Sequence, residues 1–413
     1  VNKLALGQRG RRVGGACLFL LVLAIGSCQE RLTSPADCPA LCPGGEQAVL
    51  DTSLLALPGL DSSFTGYVAR GAGRALLVSN GLPASEDRAV YTFASRSDSI
   101  SVRDTLRAYA IDSVQLSFSL VARDTLVSGL KVFVFRLPPT LDSTATFADV
   151  TTRFLPETLI DSILVPDSVH SGVIQTTLRG TDLDRVAIPL GTGGVLAVGL
   201  GITANSPTGI RLGSTGGSNG ATFVTFATVD VPDTTTTIKH QSFSRSTSFN
   251  TFVTQSPLVP DPNLLTVGGE PSSRALVRFG LPPVIKDTAT LVRATIELTP
   301  VTPIQGLPTD VAVVVARAVL ADLGAKSPVS TLASDTVADT LLVPQVDTVR
   351  IDVTRVVQAW QGSSPRPSAI FLSLDPEAAS FSRAVFYSTR AADPTLHPRL
   401  RVTYVRPFPF ENP

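Results

Sequence analysis

The chain has 413 residues, 43% of them hydrophobic and 16% charged, with 34 basic and 34 acidic side chains giving a formal net charge of zero. That length exceeds one core and suits two domains, and the apolar content excludes a chain disordered by composition. The arginines are scattered without a dense basic patch, so nucleic acid is not an expected partner. Thr, Ser, Val and Leu are abundant and methionine is absent. β-Branched side chains fit a pleated surface better than a helix, so the mixture favours strands.

At the N-terminal end, Arg9, Arg11 and Arg12 precede an apolar run from Ala16 to Ile25. A basic segment followed by about ten apolar residues has the form of a signal peptide, whereas a membrane-spanning helix needs roughly 20. The run ends in Ile25-Gly26-Ser27-Cys28, which resembles the bacterial lipobox. The resemblance implies that residues 1–27 are removed and that Cys28 carries diacylglycerol. The mature protein is then expected in the cell envelope, held to the membrane by its lipid. Gln29 in place of Asp after the cysteine favours the outer membrane or cell surface. Cys38 and Cys42 remain within a Pro-, Cys- and Gly-rich tether over 28–45. An oxidising compartment predicts a small disulfide loop between them, and zinc would need further ligands where no His or Cys lies nearby.

Beyond the tether, short apolar alternations recur between turn residues. Examples are Ser113–Leu120, Lys131–Arg136, Ala294–Leu298 and Asp310–Val315. A period of two puts alternate side chains into a core, and strands at this spacing predict an all-β chain of two tandem jelly-roll-like β-sandwich domains. The halves read as a divergent repeat. Arg88–Phe93 matches Arg274–Phe279, and alternating strands follow at 111–121 and 291–299, then at 130–137 and 309–319. A polar, turn-rich join from Asp230 to Thr237 places the boundary near 235, giving domains over 46–235 and 236–413.

The second half also resembles a known family. Arg274–Pro282, Ile351–Trp360, Phe386–Ala391 and Pro398–Tyr404 are similar, in order and spacing, to the segments of DNRLRE-type domains. These are bacterial surface domains grouped with a carbohydrate-binding module family. The resemblance implies a non-catalytic module that contacts polysaccharide, with Arg383, Tyr387 and Arg390 as candidate ligand-binding residues. Thr389 and Arg390 depart from the family pattern, which usually has Arg or Ser and then Glu. Val353, Val356, Val357 and Trp360 fall on one face of a short helix capped by Asp352 or Thr354, and that face predicts burial of Trp360.

Catalytic signatures are missing from the sequence. His170, His240 and His397 lie far apart, and no Gly-x-Ser-x-Gly, His-Glu-x-x-His or Walker pattern occurs. Asp followed by Ser or Thr and an aliphatic residue recurs, as at Asp104-Thr105-Leu106, Asp124-Thr125-Leu126 and Asp335-Thr336-Val337. Turn chemistry accounts for the pattern. The tripeptide also resembles the acceptor of a bacterial periplasmic O-glycosylation system. A structural Ca²⁺ is the one cofactor left open; Asp182-Leu183-Asp184 and Asp261-Pro262-Asn263 supply oxygen atoms, but neither has a calcium-loop signature, so no ligands are assigned. Three functions compete: display or binding of polysaccharide, a structural or adhesive spacer docking another envelope protein, and a polysaccharide hydrolase. A spacer predicts an apolar patch or open sheet edge, and a hydrolase predicts converging carboxylates.

Overall fold

Alternation in the sequence becomes alternation in burial. The computed structural model describes residues 49–68, 72–82, 86–95, 97, 99–102, 104–186, 194–217, 220–229, 239–255, 257–307, 311–361 and 366–406. The signal segment, Cys28, Cys38 and Cys42 lie outside the described residues. Val114, Leu116, Phe118 and Leu120 are buried, while Gln115, Ser117 and Ser119 between them are partly exposed. Inward side chains of this kind form two separate apolar cores, one per sandwich.

Two strands open the described chain, β1 (Val49–Leu55) and β2 (Ser62–Thr65). A first structural copy follows with β3 (Ala75–Asn80), β4 (Asp87–Phe93), the short β5 (Ser99–Val102), β6 (Thr105–Arg123) and β7 (Lys131–Leu137). It continues through α1 (Phe147–Thr151), β8 (Leu159–Leu164), β9 (Gly172–Arg179), β10 (Leu196–Thr203), β11 (Thr208–Gly213) and β12 (Thr222–Val229). After β13 (His240–Thr254) the second copy begins with β14 (Leu264–Gly268), β15 (Ser273–Arg278), β16 (Thr290–Leu298) and β17 (Ala312–Ala318). It ends with β18 (Thr336–Leu341), β19 (Val349–Asp352), α2 (Thr354–Gln358), β20 (Ala369–Asp375), β21 (Arg383–Tyr387) and β22 (Arg399–Val405).

The copies share their wiring. One layer runs β8-β7-β10-β4 in the first and β18-β17-β20-β15 in the second. The facing layer contains β9-β6-β12 in the first and β19-β16-β22 in the second. Even a β-bulge recurs. Asp112 is passed over between Ile111↔Ala227 and Ser113↔Phe226, and Val292 between Leu291↔Tyr404 and Arg293↔Thr403. A bulge breaks the ladder at one defined residue, so its recurrence at one place supports the repeat read from the sequence.

The boundary near 235 needs correcting, because each copy's preceding strand lies in the other sandwich. β13 pairs with β12 from His240↔Thr228 to Ser246↔Thr222, meets Phe93 at Thr247, and then runs along β4 from Phe249 to Thr254. β1 pairs in the same way with β22, from Val49↔Val405 to Leu55↔Arg399. Ala56 then bridges Phe279, and β2 runs along β15 from Ser62↔Leu276 to Thr65↔Ser273. Residues 49–65 therefore complete the C-terminal sandwich, and residues 240–254 complete the N-terminal one. Leu50, Leu54 and Ala56 pack into the same core as Leu400, Val402 and Trp360. Turn residues near 235 mark where the chain bends but carry no information about which sheet the next strand joins.

Two local features lock the C-terminal sandwich. Asp352 accepts the backbone N–H of Thr354 at 3.0 Å and its hydroxyl at 2.6 Å, but the N-cap of the short helix is Val353 without a side-chain cap, not Asp352 or Thr354; Val353, Val356, Val357 and Trp360 point inward. All four are fully buried, and the Trp360 ring lies 6.5 Å from that of Phe279. Trp360→Ala should cost about 3–5 kcal/mol in urea unfolding, as large-to-small changes in a packed core do. Trp360→Phe should cost much less. Elsewhere, Arg278 donates to both carboxylate oxygens of Asp322, at 2.5 and 2.6 Å, and also to the carbonyl of Leu60 in the exchanged segment. The hydrogen bond from Arg278 holds Asp322 below the usual carboxylate range. With the folded value depressed, the stabilisation is present above the unfolded pKa of about 3.9 and is lost as pH falls through the folded value. Asp322→Asn should therefore flatten the acid limb of a stability–pH curve while leaving its shape near neutrality unchanged.

Candidate functional site

The outer face of the sheet β1-β22-β16-β19 carries polar side chains in cross-strand rows. Antiparallel register sets Asp51, Thr403 and Arg293 side by side, then Ser53, Arg401, Thr295 and Asp352, then Leu55, Arg399, Glu297 and Arg350. Apart from Leu55 and Arg399, these residues line, together with Asp339, a depression of about 670 Å³. Glu297 lies 3.2 Å from Arg350 and 3.9 Å from Arg401, and Arg293 lies 3.8 Å from Asp352. The three arginine side chains are each about two-thirds exposed. Exposed pairs of this kind contribute at most about 1 kcal/mol. The guanidinium groups can thus be re-paired by a ligand at little cost. Carboxylates and arginines alternate, so the face offers donors and acceptors without a strong field of either sign.

The same face of the N-terminal sandwich is chemically different. Its matching rows are Ser242, Phe226, Ser113 and Arg179, then Ser244, Val224, Gln115 and Thr177, then Ser246, Thr222, Ser117 and Gln175. Hydroxyls, amides and apolar groups stand where the C-terminal copy has Asp, Arg and Glu. One backbone scaffold therefore presents a charged face once and a nearly neutral face once.

A second depression, about 710 Å³, is lined by Leu76, Phe147, Phe252, Val253, Pro257 and Pro271 with several threonines, and no charged side chain among the described residues lines it.

Arg383, Tyr387 and Arg390 do not converge on the charged face. Arg383 and Tyr387 occupy the two ends of β21, in the opposite sheet. Arg383 donates to the Gln305 side-chain oxygen and, half buried, has its pKa lowered by loss of solvent. The Tyr387 backbone N–H donates to the Thr299 carbonyl. Arg390 is engaged by the exchanged segment, donating to the Asp61 carbonyl and carboxylate at 2.9 and 3.2 Å and to the Gly59 carbonyl at 2.9 Å. Asp61, fully buried, also accepts the Thr389 backbone N–H at 2.7 Å and its hydroxyl at 2.6 Å. The sequence reading passed over Asp61, Arg293, Glu297, Arg350 and Arg401. The face residues are visible as outward positions of alternating strands, but only strand pairing brings them together.

The histidines are dispersed. His397 contacts the Ala391 carbonyl at 2.8 Å, and His240 contacts the Thr228 hydroxyl at 3.3 Å. Among the described residues no group of three or more His, Cys, Asp or Glu is placed to hold a metal ion. Asp182 instead faces Arg185 at 3.3 Å, and Asp261 accepts the Asn263 N–H at 2.8 Å. Of the Asp-Ser/Thr segments, Asp124 shows turn chemistry, accepting the Leu126 N–H at 2.9 Å, whereas Asp339 lies within β18 and accepts the N–H of the adjacent Thr340 at 2.8 Å. Thr105 and Thr125 are exposed, and Thr336 is half-buried.

These features define an all-β protein of two β-sandwiches. No family model matches the chain, and no curated protein matches it. Among solved structures, a likeness is found to the infectious bursal virus derived T=1 particle, with 11% identity over 87% of this chain and 74% of that chain. Its TM-score of 0.12 carries no argument.

Proposed function

We propose that the protein is a non-catalytic lipoprotein of the cell envelope that binds or displays polysaccharide at the cell surface, through the charged face of its C-terminal sandwich. The observation that carries this reading is the contrast between equivalent faces. Arg293, Glu297, Arg350, Arg401 and Asp352 stand on one copy where Ser, Gln, Thr and Val stand on the other. Scaffold requirements are the same in both, so they do not account for the charged set. Balanced Arg and carboxylate groups suit the hydroxyls of a neutral polymer better than the charge of a polyanion. The lipobox-like segment and the resemblance of residues 270–405 to surface carbohydrate-binding domains point the same way. Aromatic side chains are missing from the rows of this face, so each sugar is held by hydrogen bonds alone and affinity depends on engaging several units at once.

The test is a polysaccharide pull-down and glycan array with the whole mature chain. Saturable binding to a neutral polymer, lost at least ~10-fold in Arg350→Ala/Arg401→Ala, is the expected result. Both side chains are exposed and each pair with Glu297 contributes at most about 1 kcal/mol, so the variant should unfold within ~2 kcal/mol of the parent and remain folded. Absence of binding, or binding unchanged in the variant, would shift the reading to a spacer that docks another envelope protein.

A further inference from the structure

The strand exchange leaves each sandwich with a slot that its own copy does not fill. In the C-terminal sandwich the slot runs along the edge of β22, crosses Phe279, follows β15 and ends at the Ser388–Arg390 turn. Its occupant, residues 49–65, is held through backbone ladders, through buried Ala56 and the half-buried Leu50 and Leu54 packed against the core, and through Asp61 at the turn. Ser63 adds an acceptor for the Thr266 N–H at 2.7 Å.

The other slot has the same shape with different chemistry. Arg245 stands at the position equivalent to Leu54, since each faces the corresponding residue of the last strand, Phe223 or Leu400. Arg245 is buried, donates to the carbonyls of Ala94 and Gly194 at 3.1 Å, and lies 4.2 Å from the Phe223 ring centre. Asn250 stands where Asp61 does and accepts from the backbone and hydroxyl of Thr215 at 2.9 and 2.6 Å. Gly216 follows Thr215, where Arg390 follows Thr389. Between the residue facing Phe279 and the one facing Leu276 the first donor inserts 57–61, whereas between the residues facing the equivalent Phe93 and Val90 the second inserts only 248–250. If β13 entered the C-terminal slot, Arg245 would be buried against Leu400 without its two carbonyls, and Arg390 would face an amide. If residues 49–65 entered the N-terminal slot, Ala94 and Gly194 would lose the donor that Arg245 supplies. A buried, uncompensated charge is costly enough to decide between strands.

We infer that the C-terminal slot is a strand-acceptor site selective for an extended segment with Leu at the core position and Asp at the turn, filled in cis by residues 49–65 and open to the same residues of a second copy. The mode of recognition is β-strand addition: main-chain hydrogen bonds give affinity, and the Leu54 and Asp61 positions give selectivity. Within one chain the high effective concentration of residues 49–65 keeps the slot filled, so exchange in trans follows release of that segment.

The test uses the full chain with a protease site inserted between Val68 and Ala72, cleaved after folding. A labelled peptide of residues 47–68 should displace the severed segment saturably. A peptide of residues 238–256 should fail to compete, and the 47–68 peptide carrying L54R should bind on the order of 100-fold more weakly. If cleavage unfolds the C-terminal sandwich, the 47–68 peptide should restore the buried-Trp360 fluorescence and the 238–256 peptide should not. Uncleaved chains with two different tags, refolded together at rising concentration, should co-purify, and excess 47–68 peptide should suppress this. Equal competition by the 238–256 peptide, failure of the 47–68 peptide to bind or to restore fluorescence, or absence of co-purification would overturn the inference.

Discussion

A fragment cut at the turn-rich join, residues 238–413, should lack the cooperative unfolding transition of the full chain. Without residues 49–65 the edge of β22 loses the register from Val49↔Val405 to Leu55↔Arg399, and β15 loses its ladder to β2. The core loses buried Ala56 and the half-buried Leu50 and Leu54 packed against it, and each leucine then forfeits part of the roughly 1.5–3 kcal/mol that a fully buried one contributes. A domain of this size has only about 5–15 kcal/mol in total, so the loss is decisive. The fragment does retain β13, but that strand would bring Arg245 to the core and Asn250 to Arg390. Urea unfolding monitored by Trp360 fluorescence checks the expectation. A sharp transition with the parent's midpoint would mean that β13 fills the slot of its own copy, and the exchange would then not be specified by side chains. A fragment of residues 49–235 should fail for the reciprocal reason, with the edges of β12 and β4 exposed. Linking residues 47–68 ahead of residues 258–413 should recover the transition.

This dependence explains what was legible in the sequence. Strands with inward Val, Leu and Phe at every second position, as at Val114, Leu116, Phe118 and Leu120 of β6 and Val132 and Val134 of β7, are specified locally, because burial of one face fixes both the period and the register. The matched segments Arg88–Phe93 and Arg274–Phe279 become β4 and β15, which occupy equivalent places in the two sandwiches. Strand partnership is a different kind of information. β1 and β13 are each compatible with an antiparallel edge, and nothing local to either says which sheet it will join. The one signal was Arg245, a lone cation at an inward position among Ser, Thr and Phe, and its meaning appears only beside Ala94, Gly194 and Phe223. The charged face was hidden for the same reason. Asp51, Arg293, Arg350 and Arg401 are far apart in the chain, and pairing of β1, β22, β16 and β19 makes them neighbours.

Asp61→Ala should destabilise the C-terminal sandwich by about 3–5 kcal/mol, the range for breaking a buried charge pair by removing one partner. The substitution takes the acceptor from the Thr389 N–H and hydroxyl and from the Arg390 guanidinium together. Asp61→Asn should cost less, about 1–2 kcal/mol, because an amide oxygen in that place can still accept from threonine, as Asn250 does from Thr215. Arg390→Ala leaves the Asp61 carboxylate buried with only the Thr389 donors, so it too should lower stability. The informative variant is the pair. Asp61→Asn with Arg390→Ala approximates the neutral arrangement that the N-terminal sandwich already uses, Asn250 with Thr215 and Gly216. The double variant should therefore be more stable than Arg390→Ala alone, a coupling that a double-mutant cycle in urea would measure. Strict additivity would mean that Asp61 and Arg390 do not act as a unit. The same cycle bears on ligand binding. If Arg390 serves the strand and not a sugar, polysaccharide binding lost in Arg390→Ala should return in the double variant, along with stability, although the guanidinium is still missing. If binding stays lost while stability returns, Arg390 itself contacts the polymer, and the binding surface extends from the charged face of the outer sheet to the turn that follows β21.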